Sequence, residues 1–124
     1  MKLYFVRHGE SEANTQHVIS NRESPFGLTE RGQEQAKILA GKLADISLTS
    51  MYSSPILRAR ETADILSRSF GLTYQFTEAL REYDVGIIEG RSTDDGWQAK
   101  QQVEEAWYVR GETSRSLPDS ESNL

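Results

Sequence analysis

The sequence LYFVRHGE at residues 3–10 places an arginine and a histidine directly after a short apolar run. An uninterrupted apolar run of β-forming side chains predicts a strand buried on both faces, as in a parallel sheet. In open α/β sheets, ligands bind beyond the carboxyl ends of the strands. We therefore expect Arg7 and His8 to lie at a binding site, so this stretch predicts both the fold class and the position of the site.

Helix signals recur downstream of this stretch. Thr29 can cap a helix whose apolar residues follow the i, i+3, i+4, i+7 spacing. Ser54 and Pro55 are typical of an N-cap and first helical position, and Gly71 is typical of a helix end. A less regular helix is expected over residues 97–109.

Two further strands are expected between these helices, at residues 46–52 and 72–76. Strands separated by helices predict βαβ units and an α/β domain with a parallel sheet. The length fits one domain, which we place at residues 1–124. Only three strands are evident, few for such a sheet, so the domain is expected to be incomplete at its C-terminus.

The composition excludes several classes of protein. Mean hydropathy is −0.62, and no apolar run approaches the roughly 20 residues that span a bilayer. The apolar run after Lys2 is also too short for a secretory signal. The sequence has no cysteine, which excludes disulfides and thiolate metal sites and favours a reducing compartment. We expect a cytoplasmic protein.

The charge argues against nucleic acid or an anionic membrane as partner, because the formal net charge is −5. Its distribution is uneven: residues 1–81 carry 10 basic and 9 acidic side chains, whereas residues 82–124 carry 4 and 10. An acidic protein that binds phosphate must gather its arginines locally. The positions of Arg7 and Arg58 therefore matter more than the total.

A neutral histidine whose ring is held through one nitrogen can attack phosphorus through the other. Phosphoryl transfer also needs cations around the equatorial oxygens. Arg7 adjoins His8, and Arg58 falls in the first turn of a predicted helix, where backbone N–H groups favour an anion. Taken alone, an isolated Arg-His-Gly triplet at a strand end is more often polar capping of the sheet than a binding site.

Four blocks of sequence decide between these interpretations. They are, in order, RHGESEAN (7–14), LTERGQEQA (28–36), SSPILRARETA (53–63) and LRE (80–82). From Leu3 to about Gly90 the chain resembles the histidine phosphatase superfamily, the phosphoglycerate mutase-like proteins, which implies a three-layer α/β sandwich. Glu121 and Ser122 resemble the family's Gly-Glu-Ser turn, with Ser120 in place of the glycine.

The resemblance implies a role for each matching residue. His8 is the residue that becomes phosphorylated. The positions of Arg7, Asn14 and Arg58 hold the phosphoryl oxygens. Without the family match, Asn14 reads as an ordinary turn residue and Arg58 as a solvated helix arginine.

Glu82 matches the general acid that protonates the leaving oxygen and later draws a proton from water. A carboxyl group can act as the acid near neutral pH only if its pKa is raised, as burial beside a bound anion would do. Ser20 and Asn21 align loosely with a loop that touches substrate. Without the match, Glu82 reads as a surface glutamate.

The chain departs from the family's pattern in one respect. The family's second pocket histidine lies far downstream, and the sequence stops at Leu124 before any such residue. His17, in the loop after Asn14, is expected at the rim of the pocket or in solvent. Without the positive charge of that second histidine, phosphate binding would be weaker. The activity of the 124-residue form is therefore in question, whether the chain is a natural short form or a truncated one.

The resulting hypothesis is a phosphatase that acts on a small phosphorylated substrate without metal or organic cofactor, with a homodimer possible. A phosphoglycerate mutase is the first alternative, but mutases of the family carry a tryptophan before the asparagine and an insertion near the acid. Here Ala13 precedes Asn14, and the path from Glu82 to Trp97 is short. The second alternative is a non-catalytic phosphate-binding module.

Overall fold

The computed structural model describes residues 1–22 and 25–120, and these form two compact units. The first unit comprises residues 1–15 and 25–81. The second unit comprises residues 82–120 together with residues 16–22, a segment that interrupts the first unit in sequence. The Glu121-Ser122 match lies outside the described residues.

The first unit is built on a βαβ arrangement. Its helices and strands are α1 (Glu12–Thr15), α2 (Glu30–Lys42), β1 (Tyr52–Ser53), α3 (Leu57–Phe70) and β2 (Gln75–Phe76), followed by a 3₁₀ turn at Glu78–Leu80. The two strands pair in parallel, with Tyr52 opposite Gln75, and α3 connects them. Helix α2 packs against α3. The predicted α/β class with parallel pairing is confirmed.

The boundaries of α2 and α3 agree with the sequence signals except at the start of α3. Thr29 caps α2, its hydroxyl oxygen accepting from the Gly32 amide at 3.0 Å, and Gly71 ends α3 with φ +63°. The predicted start of α3 at Ser54-Pro55 is wrong. Ile56 stays extended (φ −67°, ψ 141°) and buries its side chain, so the helix begins at Leu57.

The predicted strand at residues 3–6 is also wrong. Leu3 and Phe5 are 68% and 86% exposed, and within the described part of the chain no backbone hydrogen bond holds this segment. A strand is defined by its hydrogen-bonded neighbour, and no described segment pairs with this one. The strand predicted at residues 46–52 is found at Tyr52–Ser53 and overlaps the prediction only at Tyr52, and the strand predicted at 72–76 is limited to Gln75–Phe76.

The second unit encloses an apolar core. Its members are Ile19, Val85, Ile88, Val103 and Leu117, with Tyr83, Ala99 and Trp107 packed against them. A 3₁₀ turn (Gly86–Ile88) and helix α4 (Asp94–Tyr108) supply half of these side chains. The predicted helix over 97–109 is confirmed, with an earlier start at Asp94.

Polar contacts line one side of this core. The Tyr83 hydroxyl donates to the Glu104 carboxylate at 2.7 Å, and Lys100 donates to the same oxygen at 2.6 Å. Burial raises the pKa of Tyr83 well above its ordinary value, and the bond to Glu104 adds to the rise. Among the helices of the described residues, none is both long and apolar enough to cross a membrane.

Candidate active site

The His8 ring is held at both nitrogens. Its Nδ1 lies 2.7 Å from the carbonyl oxygen of Gly9, and the Arg58 Nε lies 2.9 Å from its Nε2. A carbonyl only accepts and a guanidinium only donates. Nδ1 therefore carries the proton, and Nε2 carries the lone pair. The two hydrogen bonds thus select the tautomer with the proton on Nδ1, in which the Nε2 lone pair accepts from Arg58.

Arg58 brings its charge to this nitrogen from a buried position. It is the second residue of α3, only 6% exposed, and its helix has no acidic residue in the first turn. The free N–H groups and the dipole of a helix N-terminus attract anions, and a guanidinium matches phosphate geometry. The charge around Nε2 therefore favours a phosphoryl group.

Arg7, Asn14 and His8 line one cavity of about 250 Å³, together with Gly9, Glu10 and Gln35. Arg7 is exposed and has no ion-pair or hydrogen-bond partner among the described residues. The Asn14 Oδ1 accepts from the Ser11 amide at 3.0 Å and hydroxyl at 2.9 Å. Asn14 thus keeps its amide hydrogens as donors, so this cavity offers cationic and N–H groups suited to an anion.

The loop that carries His8 is wedged between α2 and α3. The Gly9 amide donates to the Thr62 hydroxyl (3.2 Å), which donates to the Arg58 carbonyl (2.8 Å). A Cβ on Gly9 would overlap the carbonyl group of Gly32, so the backbones of the loop and α2 meet at two glycines. The Thr62 hydroxyl thus links the loop that carries His8 to the first turn of α3, and the close backbone approach places the same loop against α2.

Two contact residues here were not expected from the sequence, Thr62 and Gln35. Gln35 accepts from the Glu10 amide at 2.8 Å through its Oε1. Both lie within blocks of the family resemblance, which is the one signal that could have pointed to them. Their residue types and spacing alone indicate only helix surface.

The remaining predicted site residues belong to the second unit. Ser20 and Asn21 are buried there. The Asn21 amide side chain donates to the Tyr83 carbonyl at 3.0 Å, and its backbone N–H donates to the Glu89 carboxylate at 2.8 Å. Asn21 is thus engaged within its own unit, and the substrate roles of Ser20 and Asn21 stay predictions.

Glu82 and His17 are both exposed. The Glu82 carboxylate has no hydrogen-bond partner among residues 1–22 and 25–120, and its role as acid stays a prediction. His17 has φ +53°, and its carbonyl accepts from the Trp97 indole at 2.8 Å. Across those same ranges, no three His, Asp or Glu side chains are grouped to hold a metal ion.

A sequence model of the histidine phosphatase superfamily (branch 1) matches residues 3–123. The chain belongs to the histidine phosphatase superfamily. This confirms the resemblance carried by the four sequence blocks.

The chain is also similar to curated proteins of Salmonella and Citrobacter. It is 32% identical over 125 residues to the probable phosphoglycerate mutase GpmB of Salmonella arizonae, and 33% identical to that of Citrobacter koseri. Both alignments cover 98% of this chain and 56% of the relative. The chain therefore spans about half the length of the curated relatives it matches.

Solved structures confirm the phosphoglycerate mutase-like α/β fold. The alpha-ribazole phosphatase of Shigella flexneri matches with TM-score 0.73 and 30% identity, covering 94% of this chain and 57% of that one. The mycobacterial glucosyl-3-phosphoglycerate phosphatase complexed with VO3 matches with TM-score 0.75 and 27% identity, covering 93% and 54%. A phosphoglycerate mutase of Bacillus anthracis matches with TM-score 0.68 and 31% identity, covering 82% and 48%.

Proposed function

We propose that this histidine phosphatase hydrolyses phosphate monoesters through a phosphohistidine formed on Nε2 of His8. The observation that carries the proposal is the pair of hydrogen bonds that leaves the Nε2 lone pair on a neutral ring. A neutral imidazole with a fixed tautomer is the form that attacks phosphorus. Arg58, Arg7 and Asn14 supply the donors that the phosphoryl oxygens need.

The proposed reaction has two displacements at phosphorus. In the first, Nε2 of His8 bonds to phosphorus, the ester P–O bond breaks, and Glu82 gives its proton to the leaving alcohol. As the N–P bond forms, Arg58 keeps its proton, and the hydrogen bond from its Nε–H changes acceptor from Nε2 to a phosphoryl oxygen. In the second, a water oxygen bonds to phosphorus and gives a proton to Glu82, the N–P bond breaks with its electron pair returning to Nε2 of His8, and inorganic phosphate leaves.

Hydrolysis is favoured over phosphoryl transfer to a second substrate because water can reach the cavity beside His8. A mutase must exclude water between its two transfers, whereas Arg7 and Asn14 in the cavity wall are both exposed. The absence of a tryptophan before Asn14 points the same way, because Ala13 stands there. By their names, the relatives include both phosphatases and mutases. We also place the protein in the cytoplasm, as its lack of cysteine favours.

The test is capture of the intermediate with p-nitrophenyl phosphate as the probe. Wild-type protein, quenched rapidly, should gain the mass of one phosphoryl group on His8, stable in alkali and labile in acid. His8→Ala should abolish both the label and turnover. His17→Ala, which alters the other histidine of the sequence, should retain them.

Three other outcomes would each redirect the proposal. Equal losses in the two histidine variants would remove His8 as nucleophile. Labelling that decays only when a phosphoglycerate is added would indicate a mutase. Phosphate binding without any label would indicate the non-catalytic module.

The role of Glu82 is tested in the same assay by the leaving group. General acids contribute about 10²- to 10⁴-fold to rate. Glu82→Gln should therefore slow an alkyl phosphate, whose alkoxide needs a proton, far more than p-nitrophenyl phosphate. An equal effect on both esters would contradict the acid role.

A further inference from the structure

We propose that Gln35 is a positioning residue for the nucleophile, acting through the Gly9–Glu10 peptide group to fix the tautomer and direction of the His8 ring. The inference deepens the proposed function and depends on it only for the kinetic part of its test. Gln35 lies on α2 and does not contact His8 itself, but one peptide group connects the two side chains by hydrogen bonds.

The geometry places two hydrogen bonds at opposite ends of one amide. The Gly9 carbonyl and the Glu10 N–H belong to the same planar peptide group, so fixing one end fixes the direction of the other. The Gln35 Oε1 accepts from the Glu10 N–H at 2.8 Å, and the Gly9 oxygen accepts from the His8 Nδ1 at 2.7 Å. Gln35 therefore aims the acceptor that holds the histidine.

The neighbouring anchors act on other peptide groups. Thr62 accepts from the Gly9 N–H, which belongs to the peptide before this one. Thr29 donates to the Glu10 carbonyl at 3.0 Å through its backbone N–H, which fixes the peptide after it. Within the described ranges, Gln35 is the side chain that holds the N–H of the intervening peptide. Its contribution is thus separable from theirs.

The hydrogen bonds also reinforce one another. An amide whose N–H donates to an acceptor is polarised, and its carbonyl becomes a better acceptor. A stronger acceptor at Nδ1 keeps the proton on that nitrogen and leaves the lone pair on Nε2, which is the one that reacts. Loss of the Gln35 oxygen should therefore weaken the preference for the reactive tautomer.

Three variants separate this role from a general effect on the helix. Gln35→Met keeps the length of the side chain and removes the acceptor oxygen. Gln35→Glu keeps an acceptor oxygen in its place. Gln33→Met makes the same exchange on the same helix, at an exposed residue whose side chain has no hydrogen-bond partner in the described part of the chain. Gln35→Ala replaces Gln35→Met if the latter fails to fold by circular dichroism.

The first readout is the ¹⁵N NMR spectrum of His8 in the ligand-free protein, which needs no catalysis. Wild type, Gln33→Met and Gln35→Glu should show a protonated Nδ1 and an unprotonated Nε2. Gln35→Met should move the Nδ1 signal toward the average of the two tautomers. Unchanged His8 signals in Gln35→Met would overturn the inference.

The second readout is phosphorylation of His8 by p-nitrophenyl phosphate. Loss of one net hydrogen bond predicts a kcat about 2- to 10-fold lower in Gln35→Met. Gln35→Glu should keep kcat and raise KM, because its charge lies beside an anion-binding cavity. A wild-type protein that is never phosphorylated would refute the proposed function, while the NMR comparison would still decide the role of Gln35.

Discussion

The two units bury different kinds of residue. Four of the seven buried apolar residues of the first unit are alanines: Ala13, Leu28, Ala36, Ala40, Ile56, Ala63 and Leu66. The same unit buries five polar residues, namely Ser11, Ser53, Ser54, Arg58 and Thr62. The second unit buries Ile19, Val85, Ile88, Val103, Ala106 and Leu117, with Ser20 and Asn21 as its buried polar residues.

The difference indicates which interactions fix the geometry of the candidate site. Buried polar groups require satisfied hydrogen bonds, and a network of them specifies one geometry. In the first unit, small side chains allow backbones to approach, and hydroxyl and guanidinium groups link the segments. In the second unit, branched and aromatic side chains pack together out of water, a burial that the hydrophobic effect favours.

The largest predicted effect on stability comes from the close contact between the backbones of Gly32 and Glu10 in the first unit. A Cβ at Gly32 would overlap the Glu10 carbonyl, and backbone cannot move aside as a flexible side chain can. Gly32→Ala should lower the free energy of unfolding by about 3 kcal/mol, the upper end of typical overpacking costs. Urea denaturation followed by circular dichroism measures it.

Gly41→Ala is the matched control on the same helix. A Cβ at Gly41 meets nothing within 4 Å, so helix propensity alone should raise stability by about 0.5–1 kcal/mol. Similar changes in the two variants would show that the close approach of the loop and α2 does not constrain the first unit.

The second predicted effect is on the apolar core of the second unit. Val103→Ala removes two buried methyl groups and leaves a cavity, which should cost about 2 kcal/mol. Val109→Ala, at a residue that is 75% exposed, should stay within about 0.5 kcal/mol of wild type. If both variants unfold at the same urea concentration, side-chain burial is not what holds this unit.

The smallest predicted effect concerns pH. Burial acts to raise the pKa of Glu104, but the hydrogen bonds from Lys100 and Tyr83 outweigh it and lower the pKa below the ordinary 4.5. A depressed pKa stabilises the folded state above pH 4.5, and this stabilisation is lost as pH falls through the folded-state value.

The urea midpoint of Glu104→Gln should therefore fall less steeply below pH 4.5 than that of wild type. Tyr83→Phe, which removes one of the two donors, should lie between them. Parallel curves for the three proteins would show that these hydrogen bonds do not favour the ionised carboxylate.

The sequence predicted helices better than strands, for a physical reason. Thr29 and Gly71 act on the backbone within a few residues, so their effects on α2 and α3 are readable locally. The strand predicted at residues 3–6 depends on a partner elsewhere in the chain, and apolar character does not provide one. The start of α3 was misplaced because burial of Ile56 in an extended conformation overrides the Ser-Pro signal.

The sequence predicted which residues form the site but not which contacts they make. Family motifs pointed to His8, Arg7, Asn14 and Arg58, and the structure places these four in the first unit. The tautomer of His8 could not be read from residue types, because it depends on one carbonyl and one guanidinium meeting the ring. Gln35 lies within one of the family blocks, but its proposed action through the Gly9–Glu10 peptide group depends on two hydrogen bonds that the block does not show.

The segment of residues 16–22 has a consequence for the order in which the nascent chain can fold. An antiparallel bridge between Ser11 and Leu28 closes the loop that contains this segment within the first unit. Ile19, 1% exposed, exchanges backbone hydrogen bonds with Gly90 and Arg91 and packs in the core of the second unit. On the ribosome, the first unit can pair its loop ends while Ile19 still lacks its neighbours. A separately synthesised fragment of residues 82–120 would for the same reason lack part of its core.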